Sequence, residues 1–300
     1  MKRLKGVVCA TVTPMLPDGS VDYKSLERFC KFLNLKGIHC LYPNGTNGES
    51  LSLSFEERSK IAESIVKTNA GRAAVYIQCG AATVQESYEN VRVARRCGAD
   101  GAGLMTPVFF AVDEAAMLRY YETILDEITD FPMYVYNIFT RTGNDFSVAL
   151  LQQLMNKYPN LYGIKFSYPD VDRIRAYVQA PNDRKADALI GCDPLASKCF
   201  AAGGSGWVSG PAAVFAKLHT ELYQALLAND AVGIDKNQQA IVDVMNEIAG
   251  IPEIPAIKYL LMKQGVIDHD VCRAPFRPLT DGEKKRLDIC LDGYLNKYGD

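Results

Sequence analysis

A lysine, a tyrosine, a glycine-flanked polar turn and an arginine are the residues of this 300-residue chain whose types and order can do chemistry together. Lys165 stands near the C-terminal end of a short apolar run, residues 161–166. A lysine inside an apolar strand loses hydration, and desolvation disfavours its charged form. A neutral lysine is a nucleophile, and its usual work is a Schiff base with a carbonyl. Alone, the stretch is better explained by a lysine that snorkels to the surface from the strand end. The polar turn reads Asn44-Gly45-Thr46-Asn47-Gly48-Glu49-Ser50. Gly45 and Gly48 flank the Thr46-Asn47 pair, so backbone N–H groups can converge on one carboxylate or phosphate. A plain turn, with Thr46 and Asn47 bonding their own backbone, explains it equally. Tyr134 and Tyr136 share one face of another apolar run by alternation. Tyr136 can pass protons beside a lysine, or it is simply a core tyrosine. Arg141, in Arg141-Thr142-Gly143, suits a carboxylate at a pocket mouth, or it is a solvated loop arginine.

Together these groups describe attack of an amine on a 2-oxo acid. The turn holds the carboxylate, Lys165 attacks the ketone, and Tyr136 shuttles protons. The iminium then serves as the electron sink for making or breaking the adjacent C–C bond. Such a site needs a scaffold that brings distant strand ends to one face. Apolar runs at residues 6–13, 38–43, 74–79, 101–106, 132–137, 161–166, 188–191 and 206–209 read as strands alternating with amphipathic helices. Residues 22–35 place Leu26, Phe29, Cys30 and Leu33 on one helical stripe. Ser54…Glu57, Thr83…Glu86 and Thr280…Glu283 read as capping boxes. Eight such units predict a (β/α)8 TIM barrel, whose sites are built at the C-terminal strand ends. A doubly wound fold would want a Gly-rich turn after the first strand, where the chain has Thr13-Pro14-Met15. We expect the barrel over residues 1–221 and a helical appendage packed on it over 222–300, with helices near 231–248, 254–264 and after Thr280.

The formal net charge of −2 comes without a basic stripe, which argues against nucleic acid or an anionic membrane as partner. No apolar run approaches a membrane span or a signal segment. Nine scattered cysteines without a C-x-x-C pair fit a reduced, cytoplasmic protein. The three histidines have no ligand-spaced partners, so no metal is expected.

Thr13-Pro14, Gly45-Thr46-Asn47-Gly48-Glu49, Tyr136-Asn137-Ile138 and Gly163-Ile164-Lys165, in this order and at these intervals, resemble the dihydrodipicolinate synthase/N-acetylneuraminate lyase family. The resemblance runs nearly the whole chain and includes Gly191-Cys192-Asp193. It implies a Schiff-base enzyme on a (β/α)8 barrel, often tetrameric, with pyruvate as substrate or product, an aldehyde as partner and no cofactor. It further implies Lys165 as the Schiff-base lysine, Tyr136 as its proton relay with Thr46, and Thr46, Asn47 and Gly48 at the carboxylate. Arg141 is similar to the synthase arginine that receives the second substrate's carboxylate. Val208 falls where a backbone carbonyl lines the pyruvate pocket beside Gly191. Asp193 falls where sialic-acid lyases face sugar hydroxyls.

The departures set the expected substrate. Asn47 stands where synthases have a second threonine. Phe109, expected in the pocket wall, stands where they have a relay tyrosine that crosses a dimer interface. Phe139 replaces a proline, and Ala82 and Val108 replace polar lysine-effector ligands. We therefore expect cleavage or formation of a hydroxylated 2-oxo acid. Alternatives are 4-hydroxy-tetrahydrodipicolinate synthesis from pyruvate and aspartate semialdehyde, and a silent 2-oxo-acid-binding protein. Outside the family, a phosphate-binding barrel isomerase would use the Gly203–Gly206 turn.

Overall fold

Helix starts in this chain are written in its capping residues. The Asp22 carboxylate accepts from the N–H groups of Lys24 and Ser25 and opens the helix Tyr23–Leu35. The stripe Leu26, Phe29, Cys30 and Leu33 is buried as its 3.6-residue period requires. Ser54 Oγ accepts from the Glu57 N–H at 3.2 Å, and Glu57 returns a bond to the Ser54 N–H at 2.9 Å. That reciprocal box starts the helix Phe55–Asn69. The same exchange between Thr280 and Glu283 precedes the helix Asp281–Tyr298.

The computed structural model describes residues 2–181 and 184–298. Its strands are β1 Gly6–Cys9, β2 Cys40–Leu41, β3 Ala74–Gln78, β4 Gly101–Met105, β5 Met133–Asn137, β6 Leu161–Phe166, β7 Asp187–Ile190 and β8 Gly206–Ser209. They follow one another around a closed barrel in chain order, with helices between them, as the alternating pattern predicts. The registered pairs are parallel; Tyr136 on β5 lies opposite Lys165 on β6, and Lys165 opposite Leu189 on β7. Strands β6 and β8 have the expected limits. β1 and β2 are shorter than expected, because residues 10–15 and 42–43 are buried after leaving the ladder. Burial sets the apolar pattern, and here it overshoots the hydrogen-bonded strand.

The chain divides into two compact units. The first comprises Met1–Gly6 and Ala74–Val208, and the second Val7–Ala73 and Ser209–Asp300. The expected boundary after residue 221 falls inside the helix Ala216–Ala228. A 3-10 turn, Pro211–Ala213, precedes that helix. In the first unit a buried polar knot sits at the N-terminal ends of the strands. The Tyr134 hydroxyl donates to Asp187 at 2.7 Å, and Arg3 Nε donates to the same carboxylate oxygen at 2.7 Å. Burial and the Asp187 charge push the Tyr134 phenol well above its ordinary value. Tyr134 is thus a structural donor, although it shares a strand face with Tyr136.

His219, on the helix Ala216–Ala228, carries a pH dependence. Burial pushes its imidazole down to about 3. The unfolded chain protonates the same residue near 6.5. Between those values the unfolded state binds the extra proton, so stability is full above about pH 6.5 and falls as pH drops. The loss is about 1.4 kcal/mol per pH unit, or roughly 2 kcal/mol at pH 5. Denaturant unfolding at pH 7 and pH 5 should show it, and His219→Gln should flatten the difference. An equal pH slope in the variant would assign the acid sensitivity elsewhere.

Candidate active site

In the first unit Lys165 and Tyr136 meet because their strands pair in register. Lys165 is 5 % exposed, and its Nζ lies 3.7 Å from the centroid of the Tyr136 ring. Tyr136 packs with Met105 and Ile138, and Val108 lies against that cluster. The lysine does not snorkel: it is buried at a strand end, amine over an aromatic face. Gly191 follows β7, where a larger residue would push on Ser167. A Cβ there would stand 2.2 Å from Ser167 Oγ. Asp193 is buried in the 3-10 turn Asp193–Leu195. Neighbouring Cys192 has its thiol pushed up by burial and by the Asp193 charge, so it offers no ready thiolate. Val208 is buried on β8. Arg141 is exposed on the short helix Phe139–Thr142.

Phe109 is placed differently from expectation. The residue is 89 % exposed in the single chain, on a left-handed backbone with φ of 73°. Such a conformation is uncommon for a bulky residue. Asn144 holds it: its amide nitrogen donates to Pro107 O and Phe110 O, both at 2.8 Å, and its oxygen accepts the Val112 N–H at 2.9 Å. Phe110 is also exposed, and the two rings meet edge to face at 5.2 Å.

In the second unit the polar turn is built between two left-handed residues, Asn44 (φ 59°) and Glu49 (φ 58°). Gly48 N–H donates to Gly45 O, Glu49 N–H to Thr46 O and Ser50 N–H to Gly45 O. These three groups are therefore used within the turn. The N–H groups of Gly45 and Asn47 have no partner among the described residues. The expected anion nest thus narrows to the segment around Asn47. Thr13 Oγ1 donates to Gly48 O at 2.8 Å and fixes the far side of the turn.

Sequence reasoning missed what braces this turn. The Glu49 carboxylate is fully buried and accepts from Lys258 Nζ at 2.5 Å and from the Arg273 N–H at 2.8 Å. Lys258 is also fully buried and donates to Val271 O at 2.7 Å. Arg273 further donates to Ser52 O and pairs with Glu57, whose carboxyl its guanidinium holds below the usual range. A left-handed glutamate costs roughly 1–2 kcal/mol, and the charged bonds at its carboxylate offset that strain. The signal for Lys258 was present: it lies inside the run Ile254-Pro255-Ala256-Ile257-Lys258-Tyr259-Leu260-Leu261, all buried in the helix Glu253–Lys263. Asn47 also has a partner from this helix, donating through Nδ2 to Glu253 Oε1 at 3.1 Å.

Two side-chain sets thus stand on barrel-strand ends: a buried lysine on a tyrosine face, and a braced polar turn. Residues 3–292 match the model of the dihydrodipicolinate synthetase family. The chain belongs to that family. It is 31 % identical over 288 residues to the 4-hydroxy-tetrahydrodipicolinate synthase of Bartonella bacilliformis, covering 96 % of this chain and 97 % of that one. Dihydrodipicolinate synthase of Aquifex aeolicus superposes with a TM-score of 0.92 at 27 % identity, covering 97 % and 98 % of the two chains. A prophage protein of the same family from E. coli K12, solved in complex with pyruvate, gives 0.91 at 25 % identity, covering 97 % and 98 %. Members of the dihydrodipicolinate synthetase family are lyases and aldolases, and this chain is a carbon–carbon lyase of that family, which argues against the phosphate-binding isomerase outside it. Among the described residues no helix is long and apolar enough to cross a membrane.

Proposed function

We propose that this family member is a pyruvate-linked class I aldolase that cleaves or forms a hydroxylated 2-oxo acid through a Schiff base at Lys165. The observation that carries it is the buried Lys165 amine over the Tyr136 ring, 3.7 Å from its centroid. Thr46 and Asn47 take the substrate carboxylate, while Gly48, whose N–H is spent on Gly45 O, shapes the turn. The Lys165 nitrogen adds to C2, water leaves, and an iminium forms. A base removes the C4 hydroxyl proton, the C3–C4 bond breaks, and its electron pair passes into the iminium as an enamine. Protonation at C3 and hydrolysis then release pyruvate and the free amine. Tyr136, with Thr46, moves the protons; Gly191 and the Val208 carbonyl line the pyruvate end; Asp193 faces hydroxyls and Arg141 a carboxylate. The chemistry calls for no metal, since the iminium is the electron sink. The nine cysteines, which form no disulfide among the described residues, fit a reducing cytoplasm.

Phe109 favours this reading over a synthase. A phenylalanine carries no proton, so a relay through it stops, and a hydroxyl next to the reacting carbon takes its place. The relatives' name and the absence of an ion-pair partner for Arg141 among the described residues favour the synthase instead. General acid–base help is worth about 10²–10⁴-fold. We therefore expect kcat/KM for cleaving a hydroxylated 2-oxo acid to exceed that for condensing pyruvate with aspartate semialdehyde by about 10² or more, and Phe109→Tyr to narrow the gap. A synthase-like wild-type rate would overturn the preference. The same preparations read the assembly by sedimentation. Phe109 and Phe110 stand exposed beside an apolar cavity of about 450 Å³ lined by Ala82, Val84 and Val108, which suits a second copy of the chain. A wild type that sediments as a monomer would remove that part of the proposal.

A further inference from the structure

We infer that Glu253 selects the substrate by presenting, with Asn47, two hydrogen-bond acceptors to hydroxyl groups. The inference deepens the proposed function and rests on the polar turn being the substrate's seat. Glu253 is the first residue of the helix Glu253–Lys263, where an acidic residue is favourable for the helix alone. Three observations go beyond that. Glu253 Oε1 accepts from Asn47 Nδ2 at 3.1 Å, so the helix start and the turn are joined. Gly210 makes the approach possible: a Cβ there would lie 2.0 Å from Asn47 Nδ2 and 2.7 Å from Glu253 Oε1. Its backbone, at φ −76° and ψ −50°, is open to any residue, so the glycine bears on the Asn47–Glu253 contact through space alone. Finally, Glu253 is exposed, and its Oε2 has no hydrogen-bond partner among the described residues.

The chemistry of the pair follows. An ionised carboxylate only accepts hydrogen bonds. Asn47 must therefore turn its nitrogen toward Glu253, which leaves Oδ1 and one N–H for a ligand. The turn then offers Asn47 Oδ1 and Glu253 Oε2 as acceptors on one side. Hydroxyl groups satisfy both. A second carboxylate meets the like charge of Glu253. An alkyl chain leaves both acceptors desolvated, which costs binding. The substrate class is thus a 2-oxo acid that carries hydroxyl groups.

Borohydride trapping reads this without requiring turnover. The probes are 2-oxo-3-deoxygluconate and 2-oxohexanoate, equal in carbon number, with pyruvate as the common core. The wild type should be half-saturated at a lower concentration of the hydroxylated acid than of 2-oxohexanoate. Glu253→Ala should erase that preference by raising the hydroxylated acid's value by roughly one to two decades, the worth of a hydrogen bond to a charged group. Glu253→Gln, which keeps the shape but loses the charge, should fall between. Equal shifts for both acids, or none, would overturn the role of Glu253. A wild type that forms no adduct with pyruvate would instead overturn the Schiff-base reading beneath it.

Discussion

The Lys165→Ala variant is expected to fold as the wild type does and to lose pyruvate-dependent turnover by more than about four orders of magnitude. No other group on the strand ends described above can form the imine, so no partial activity should remain. The fold should survive because the substitution shortens a side chain at a strand end, in a residue that is 5 % exposed, leaving a small gap beside Tyr136. Burying an amine is costly, and its removal offsets much of the lost packing. Tyr136→Phe should behave differently. It keeps the ring under the amine but not the hydroxyl, so imine formation persists while turnover falls by about 10²–10⁴-fold. Unfolding curves and steady-state rates on the two variants separate these outcomes. Loss of fold in Lys165→Ala would make the lysine structural.

The second large effect concerns stability. Lys258→Met should cost about 3–5 kcal/mol, because it leaves the Glu49 carboxylate buried without its cation. The double variant Lys258→Met with Glu49→Gln should recover part of that loss, since no charge is then left uncompensated. It should still be impaired in binding 2-oxo acids. The left-handed backbone at Glu49 is held by the ion pair, and the turn that carries Thr46 and Asn47 would lose its brace. Denaturant unfolding gives the first quantity and pyruvate saturation the second. A single variant as stable as wild type would mean that water reaches Glu49 and replaces the lysine.

What the sequence makes legible is what local pattern controls. Lys165 and Tyr136 lie at corresponding ends of two apolar runs, and parallel strands with short ladders place them opposite each other. The capping residues Asp22, Ser54 and Thr280 mark helix starts because their bonds span three residues. Long-range partners leave no such trace. Glu49 and Lys258 are 209 positions apart, and Asn47 and Glu253 are 206 apart. Lys258 shows only as a charge in an apolar helix, without its partner. The sequence pattern points Phe109 toward the pocket, but its left-handed φ is held by Asn144, 35 positions later, through bonds to the flanking backbone. The polar turn was read as a nest of N–H groups, but three of them close the turn itself. Burial without pairing lengthened the first two strands in the sequence pattern beyond their ladders.

The most direct measurement is peptide mapping after incubation with pyruvate and borohydride. The predicted result is one reduced pyruvyl adduct per chain, on Lys165, absent from Lys165→Ala and unchanged by a chelator. An adduct on another lysine, or none at all, would contradict the Schiff-base mechanism.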